Sequence, residues 1–443
     1  MYKKYDVIVI GGGPAGITAA NTVKRIKSNW KVALIRSQKK SVIPCALPYA
    51  LDNTIKIDDY VKDDEKLIKG RGIDLYIMTV SSIDVNKKVI YTSGKESFAY
   101  EYLILCIGSK AVYPSIEGME LKNVFVVKDH PDILRIKSII DEGKRRFAVI
   151  GAGFIGLELV GALYNLGKEV YLIERERFPL PSVVSGDMGE KIFKELEVKG
   201  INLFFNDEVL SLEENNKEIK LKLKSDNSLN VDSVIFCVGV RPNVKLAQDA
   251  GLEVDRWGIV VDEYMRTSDP YVYAAGDCAR CWDFFTKQPT NSYLATTAVI
   301  QAKIASFNIV GRKRKYKGTI NPAITRIFDI SLGSVGIIKE KADRKNISVV
   351  IGESLVHTRE KSFGGGNLFT RLIFDSASLK LLGAEVISSE CIAYIINMLS
   401  LAILNGLDIY SLAEMQYCGH PPQVDVPSKM HIVLAAEDAL KKI

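Results

Sequence analysis

No apolar run in this sequence is long enough to cross a bilayer. The best candidate, Ile392 to Leu404, is broken by Asn397 and Ser400 and followed by Asn405. A spanning helix needs about 20 predominantly apolar residues. No secretory leader is expected either: after Met1 to Tyr5 the apolar stretch Val7 to Ile10 stops at three glycines, too short for a signal core. Strong charge of either sign is absent. The formal net charge is +6 over 443 residues, and the one dense basic block, Arg312-Lys313-Arg314-Lys315, follows Gly311 in a surface connection. That gives no reason to expect a nucleic-acid partner. The expected location is cytoplasmic, where thiols stay reduced. The seven cysteines are then buried residues or redox groups, not a disulfide framework. Cys278 and Cys281 form a lone C-x-x-C. With no second pair there is no metal site to argue for, and the expectation is that they pack.

What the chain has is a nucleotide-binding pattern, twice. Tyr5 to Ile10 is a continuous apolar run suited to a buried parallel strand. Gly11-Gly12-Gly13-Pro14-Ala15-Gly16 follows, then a helical stretch to about Lys27 and a second strand from Lys31 to Ile35. Near the middle the pattern returns: strand Arg146 to Ile150, turn Gly151-Ala152-Gly153-Phe154-Ile155-Gly156, helix to about Leu166, strand Glu169 to Ile173. In each unit the first glycine permits a tight turn, the second lets backbone approach a pyrophosphate, and the third lets helix pack on strand. One such motif is weak evidence. Two, each between a strand and a helix, point to two bound dinucleotides.

An acidic residue usually ends the second strand and holds the ribose hydroxyls. Glu174 takes that place in the second unit and favours NADH, because a carboxylate repels a 2′-phosphate. Arg175 and Arg177 follow at once and keep NADPH open. In the first unit the place is held by Arg36, which cannot accept a hydrogen bond. Stacking on adenine or pairing with a phosphate is the expectation for it.

At roughly 100–200 residues per domain, the length allows two to four domains. After about Asn321 the texture changes. Ile324 to Ile337, Ile347 to His357 and Leu368 to Val386 read as strands joined by turns, and Cys391 to Leu407 and Ser411 to Gln416 as helices. The expected fold is α/β: two Rossmann-like dinucleotide-binding domains plus a C-terminal α+β domain.

These residues resemble a known family, the two-dinucleotide flavoprotein (pyridine nucleotide-disulfide) oxidoreductases, over essentially the whole chain. Tyr102 to Ser109, with Gly108, is similar to the strand closing the first FAD segment. Val234 to Asn243, with Gly239, is similar to the exit from the NAD domain. Tyr271 to Asp277, with Gly276, resembles the second FAD fingerprint, whose aspartate binds the ribityl chain; a carboxylate at a strand end suits a ribityl hydroxyl. The resemblance implies an FAD domain split between residues 1–112 and 246–321, an NAD(P)H domain at 113–245, and an interface domain at 322–443 that forms a homodimer. It also implies FAD contacts at Ser41, Pro44, Val80 and Ala295, an aromatic gate at Phe154, and a carboxylate, Glu158, near the nicotinamide.

Ser41 to Tyr49 (SVIPCALPY) resembles the single-cysteine branch, which includes CoA-disulfide reductases, persulfide reductases and NADH oxidases. Relatives with a redox disulfide have a second cysteine five positions on, where this chain has Ala50. The oxidised form of Cys45 is therefore expected as a mixed disulfide, a persulfide or a sulfenic acid. The oxidases and peroxidases of this branch carry a histidine in the first glycine loop, where Pro14 stands here. CoA-disulfide reductases carry a tyrosine before Ala-Pro-Pro; here the run is Tyr417-Cys418-Gly419-His420-Pro421-Pro422. His420 and Asp425 resemble the C-terminal acid/base and its orienting carboxylate in glutathione-reductase relatives, supplied by the partner subunit. Ser41 and His420 near the thiol would lower its pKa, and His420 would supply the proton. Cys418, beside His420, is a candidate resolving thiol for the partner's cysteine. The expected activity is FAD-dependent NAD(P)H reduction of a low-molecular-weight disulfide, persulfide or polysulfide through Cys45. The alternatives are an NADH oxidase or peroxidase and a reductase of a carrier such as rubredoxin.

Overall fold

The computed structural model describes residues 2–443. The chain begins with a seven-stranded sheet. Six of its strands are β1 (Lys3–Ile10), β2 (Val32–Arg36), β3 (Ile73–Ile77), β4 (Val80–Asp84), β5 (Val89–Thr92) and β6 (Ser97–Leu105), in the order β3-β2-β1-β6-β5-β4. β3, β2, β1 and β6 run parallel, while β4 and β5 are antiparallel additions. The last four residues of β1 and all five of β2 are buried, as expected of parallel strands covered on both faces. Helix α1 (Pro14–Ile26) leaves the glycine turn with proline in its first turn and Lys24 and Arg25 in its last, both matched to the helix ends.

The second sheet is wholly parallel. Its strands are β7 (Val124–Val126), β8 (Arg146–Ile150), β9 (Glu169–Glu174), β10 (Asn202–Phe205) and β11 (Ser233–Phe236), in the order β7-β11-β8-β9-β10. A three-stranded antiparallel sheet over Val209–Val231 flanks it. Between Cys45 and this sheet lie two helices, α2 (Leu47–Leu51) and α3 (Phe154–Asn165), packed against each other. The chain enters this region beside Ser109–Ala111 and leaves it beside Val240–Pro242, and those segments pair. It then returns to the first sheet, where β12 (Val272–Ala274) pairs with β6, and α4 (Ala295–Ile309) packs on α1.

The remaining chain forms a five-stranded antiparallel sheet: β13 (Ala323–Ile327), β14 (Ile330–Gly336), β15 (Val349–His357), β16 (Asn367–Asp375) and β17 (Leu381–Ser388), in the order β13-β14-β17-β16-β15. Helices α5 (Ala393–Leu404) and α6 (His431–Leu440) cover it. The helix expected over Ser411 to Gln416 lies over Ile409–Ala413 instead. Asp408 is its N-cap, accepting from the Ser411 backbone N–H at 2.8 Å, and this cap draws the start forward.

A buried polar cluster joins the second and third sheets. Glu385 is fully buried and accepts from the Ser185 backbone N–H at 2.5 Å, the Ser185 hydroxyl at 2.6 Å and Arg371 Nη1 at 3.0 Å. Arg371 also pairs with Asp187 and Glu353.

Candidate active site

The two glycine turns are built alike. Gly11 has φ +115°, and a Cβ there would meet the Cys106 carbonyl oxygen at 2.0 Å; one on Gly16 would meet the Gly11 carbonyl oxygen at 1.8 Å. Gly13 has φ −79° and a Cβ would meet nothing within 4 Å. The second unit repeats this, with Gly151 at φ +104° against the Cys237 carbonyl oxygen (2.7 Å), Gly156 against the Gly151 carbonyl oxygen (1.9 Å), and Gly153 open at φ −78°. The first glycine makes the turn, the third seats the helix, and the middle one leaves free space at a helix N-terminus, where a pyrophosphate can approach the backbone. Both cradles therefore fit the dinucleotides that the resemblance implies.

Around the first cradle, Asp277 accepts from the Ser109 hydroxyl at 2.6 Å, and Ser109 in turn accepts from Lys128 Nζ at 2.9 Å. The Gly276 N–H (φ +82°) donates to Gln301 on α4 at 2.9 Å, tying the aspartate's turn to that helix. Ala295 opens α4, is exposed, and has no side-chain cap before it. The first-turn N–H groups stay free for an acceptor. Gly108 (φ +66°) lies in the turn after β6, Ala15 is buried 3.1 Å from where a Gly276 Cβ would be, and Val80 is half-buried at the start of β4. Around the second cradle, Glu174 accepts from the Ala152 N–H at 2.7 Å and the Glu176 N–H at 3.0 Å. Phe154 is half-buried, Ile155 exposed, and Gly239 sits at φ +100°.

Arg36 is engaged within its own chain. Its side chain is buried, lies against Gly12, and pairs with Asp64 at 2.7 Å; it also donates to the Ser41 hydroxyl at 2.7 Å and the Lys39 carbonyl at 2.8 Å. Its two terminal nitrogens are engaged within the chain, while its buried Nε has no partner among the described residues. The Ser41 hydroxyl donates to Asp64 at 2.5 Å, so it is turned toward the ion pair. Burial pushes the Asp64 carboxyl up, but Arg36 and Ser41 outweigh it and hold it below the usual range.

Cys45 is a free, exposed thiol in a single 3-10 turn, Pro44–Ala46, that runs directly into α2. Its neighbour Pro44 is exposed too. Tyr49, on α2, lies near Glu158, across the contact between α2 and α3. Glu158, on α3, accepts from the Thr325 hydroxyl on β13 at 3.0 Å. Burial pushes Glu158 up to about 7 against the opposing pull of Thr325 and Tyr49. Tyr49 and Thr325 carry no assignment from sequence. The i,i+4 spacing of Cys45 and Tyr49 was the available signal for the first; none existed for the second.

The C-terminal candidates are not brought together as expected. Asp425 is buried, but its carboxylate accepts from the backbone N–H groups of His357 (3.3 Å) and Val426 (2.8 Å). It does not orient His420 in this chain, whose exposed imidazole makes no hydrogen bond among the described residues. Tyr417 is also exposed, and its hydroxyl donates to the Pro427 carbonyl at 2.6 Å. Cys278 and Cys281 are buried and unlinked, and burial pushes each up to about 11, so they are packed thiols. Cys418 is exposed and free.

The comparisons with known proteins agree with this geometry. The family described as pyridine nucleotide-disulphide oxidoreductase matches residues 5–302, and its dimerisation domain matches residues 323–431. The chain is 35% identical to an NADH oxidase of Methanocaldococcus jannaschii, over 98% of this chain and 99% of that one. It is 29% identical to the NAD(P)H coenzyme A polysulfide/persulfide reductase of Pyrococcus horikoshii, over 87% and 88%. Among solved structures it matches an NAD-dependent persulfide reductase from A. fulgidus at TM-score 0.93 and 28% identity, over 98% of this chain and 83% of that one. Two open glycine cradles, an exposed thiol between them, and a profile match over most of the chain lead to one conclusion: the chain belongs to the pyridine nucleotide-disulphide oxidoreductase family, FAD- and NAD(P)H-dependent flavoprotein enzymes.

Proposed function

We propose that this enzyme reduces a low-molecular-weight disulfide, persulfide or polysulfide, with NADH as the preferred donor and Cys45 as the sulfur that exchanges with substrate. The observation that carries the reading is the exposed, unpaired thiol in the turn before α2, with Ala50 where a second thiol would be needed for an internal disulfide. Bound FAD supplies the two-electron relay between nicotinamide and sulfur. Gly13 and Gly153 leave room for the two pyrophosphates, Asp277 offers an acceptor to the ribityl chain, and Glu174 offers one to the ribose of the nicotinamide dinucleotide.

A second feature supports a polyanionic thiol as the substrate's carrier group. A cavity of about 570 Å³ against α1 and α4 is lined by Lys24, Arg25, Arg71 and Lys303, with Thr18 and Thr22 among them. None of the four cations takes part in an ion pair among the described residues. Four unpaired cations and two hydroxyls suit phosphate groups, and coenzyme A, which the P. horikoshii relative's name includes, carries three.

A homodimer fits the dimerisation-domain match and the exposed apolar side chains Leu355, Tyr394, Leu401 and Tyr410 in the C-terminal region. A cytoplasmic setting fits seven unlinked thiols. No helix among the described residues is long and apolar enough to cross a membrane. The 35% identity to an NADH oxidase favours one second reading, oxygen as acceptor. Mass spectrometry of untreated protein, followed by disulfide and oxygen turnover of wild type and Cys45→Ser, separates the two. The proposal expects a sulfur-linked adduct on Cys45 and loss of disulfide turnover in the variant. Oxygen turnover that survives Cys45→Ser, with no disulfide activity in wild type, refutes it.

A further inference from the structure

We infer that Tyr49 and Glu158 form a proton relay, in the same subunit as Cys45, that protonates the sulfur leaving when Cys45 attacks its substrate; this rests on the reading of Cys45 as the exchanging thiol. Three elements converge to build it. The turn Pro44–Ala46 continues into α2, so Tyr49, on the first turn of that helix, follows Cys45 by four residues. α2 packs on α3, and this contact brings Tyr49 near Glu158. β13 holds the far side of that carboxyl through Thr325 at 3.0 Å. The groups facing Tyr49 are Glu158, Cys45 and Arg326; those facing Glu158 are Tyr49 and Thr325.

The titration behaviour agrees with the arrangement. Burial, then Glu158 and Cys45, push Tyr49 up to about 12, with Arg326 pulling the other way. Its hydroxyl therefore stays neutral and passes protons without storing them. Glu158, at about 7, is the store. When protonated it donates to the Tyr49 oxygen and leaves the tyrosine O–H free to turn to sulfur. When ionised it captures that O–H for itself.

The step balances without an external oxidant or reductant. The Cys45 thiolate attacks one sulfur of R–S–S–R′. A Cys45–S–S–R bond forms, the S–S bond to R′ breaks, and R′–S⁻ leaves with the electron pair. Tyr49 gives its proton to R′–S⁻ as Glu158 gives one to Tyr49, and the ionised Glu158 is reprotonated from solvent. His420, which lacks an orienting carboxylate in this chain, is not needed for the step.

The test is single-turnover exchange of the reduced holoenzyme, without oxygen, against two disulfides. Bis(2-hydroxyethyl) disulfide releases a basic alkyl thiolate that needs a proton. 5,5′-Dithiobis(2-nitrobenzoate) releases an aryl thiolate that leaves unaided. The readout is the ratio of the two rate constants, in which the thiolate fraction of Cys45 cancels. Tyr49→Phe is expected to slow the alkyl exchange by about 100-fold, within the range of general acid catalysis, and the aryl exchange by less than about threefold. In wild type the ratio falls as pH rises through about 7. Glu158→Gln removes that fall. Thr325→Val, which loses a hydrogen bond that lowers the Glu158 pKa, moves its midpoint upward with the fold intact. Equal slowing of both disulfides by Tyr49→Phe, or an unchanged pH profile in Glu158→Gln, overturns the relay. Aryl exchange that survives Cys45→Ser overturns the underlying reading instead, so the two failures are distinct.

Discussion

Replacing Arg371 by Met tests whether a buried ion cluster holds the C-terminal sheet to the nucleotide-binding region. Methionine keeps most of the side chain's length, so little packing is lost. The cost falls on Glu385, which is fully buried and keeps only the two Ser185 donors at 2.5 and 2.6 Å. Leaving a buried charge without its partner costs about 3–5 kcal/mol. Asp187 and Glu353, whose side chains are 54% and 40% exposed, add at most about 1 kcal/mol each. Protonation caps the loss. Burial already holds Glu385 above the ordinary carboxyl range, with Ser185 and Arg371 opposing it, and removing the guanidinium raises it further. An acid with a raised folded pKa loses no stability below its unfolded pKa. Above that value the penalty grows by about 1.4 kcal/mol per pH unit until the folded pKa is passed. The variant should therefore lose more at pH 8 than at pH 5.5. Hydrogen exchange of the β16 and β17 amides, each pH referenced to wild type, reads the loss directly. The expectation is about 100-fold faster exchange at pH 8, a smaller change at pH 5.5, and recovery of most of the difference in Arg371→Met/Glu385→Gln. A loss under about 1 kcal/mol at pH 8, equal losses at both pH values, or no rescue would refute the reasoning.

Five other outcomes are expected. Gly153→Ala should melt like wild type and keep FAD, because φ is −78° and its Cβ enters open space, yet raise the KM for NADH at least about tenfold by blocking the pyrophosphate. Gly11→Ala, at φ +115° with a 2.0 Å clash, should instead fail to accumulate as folded protein, and a soluble yellow variant would contradict this. His431 is held neutral by burial, which pushes it down to about 4. Its contribution is present above pH 6.5 and lost as pH falls toward 4, by up to about 3 kcal/mol, so α6 amides should lose protection at pH 5 and His431→Gln should flatten that loss. Steady-state kinetics should favour NADH over NADPH by at least about tenfold in kcat/KM, through the repulsion of a 2′-phosphate by Glu174, and Glu174→Ser should narrow the ratio. Finally, the KM for a phosphate-bearing disulfide should rise with salt and rise about tenfold in Arg25→Gln, while bis(2-hydroxyethyl) disulfide should be indifferent to both.

The features readable from sequence were those whose physics is local. The strands at Arg146–Ile150 and Glu169–Glu174 and the two glycine turns follow from apolar runs and from backbone angles open to glycine but costly for other residues. Cys45 could be singled out because the residues around it are contiguous. Arg36 was visible as a departure, but its partner Asp64 lies 28 residues on, and nothing in the pattern joins them. Asp425 stands five residues from His420, a spacing that matches an orienting pair, yet the backbone N–H groups of His357 and Val426 take its carboxylate. Thr325 is 167 residues from Glu158, and no local period links a strand of the third sheet to a helix of the second.

The sequence by itself determined where the chain turns, where helices begin on glycine, and which thiol stands alone, because steric limits on φ and the alternation of apolar residues act between neighbours. Only the tertiary structure decided which charges are spent on each other, that Ser41 serves an ion pair, and that Tyr49, Glu158 and Thr325 share one site. Those outcomes depend on the free energy of burying charges and hydroxyls, which is set by whatever distant group the packing brings within hydrogen-bonding reach.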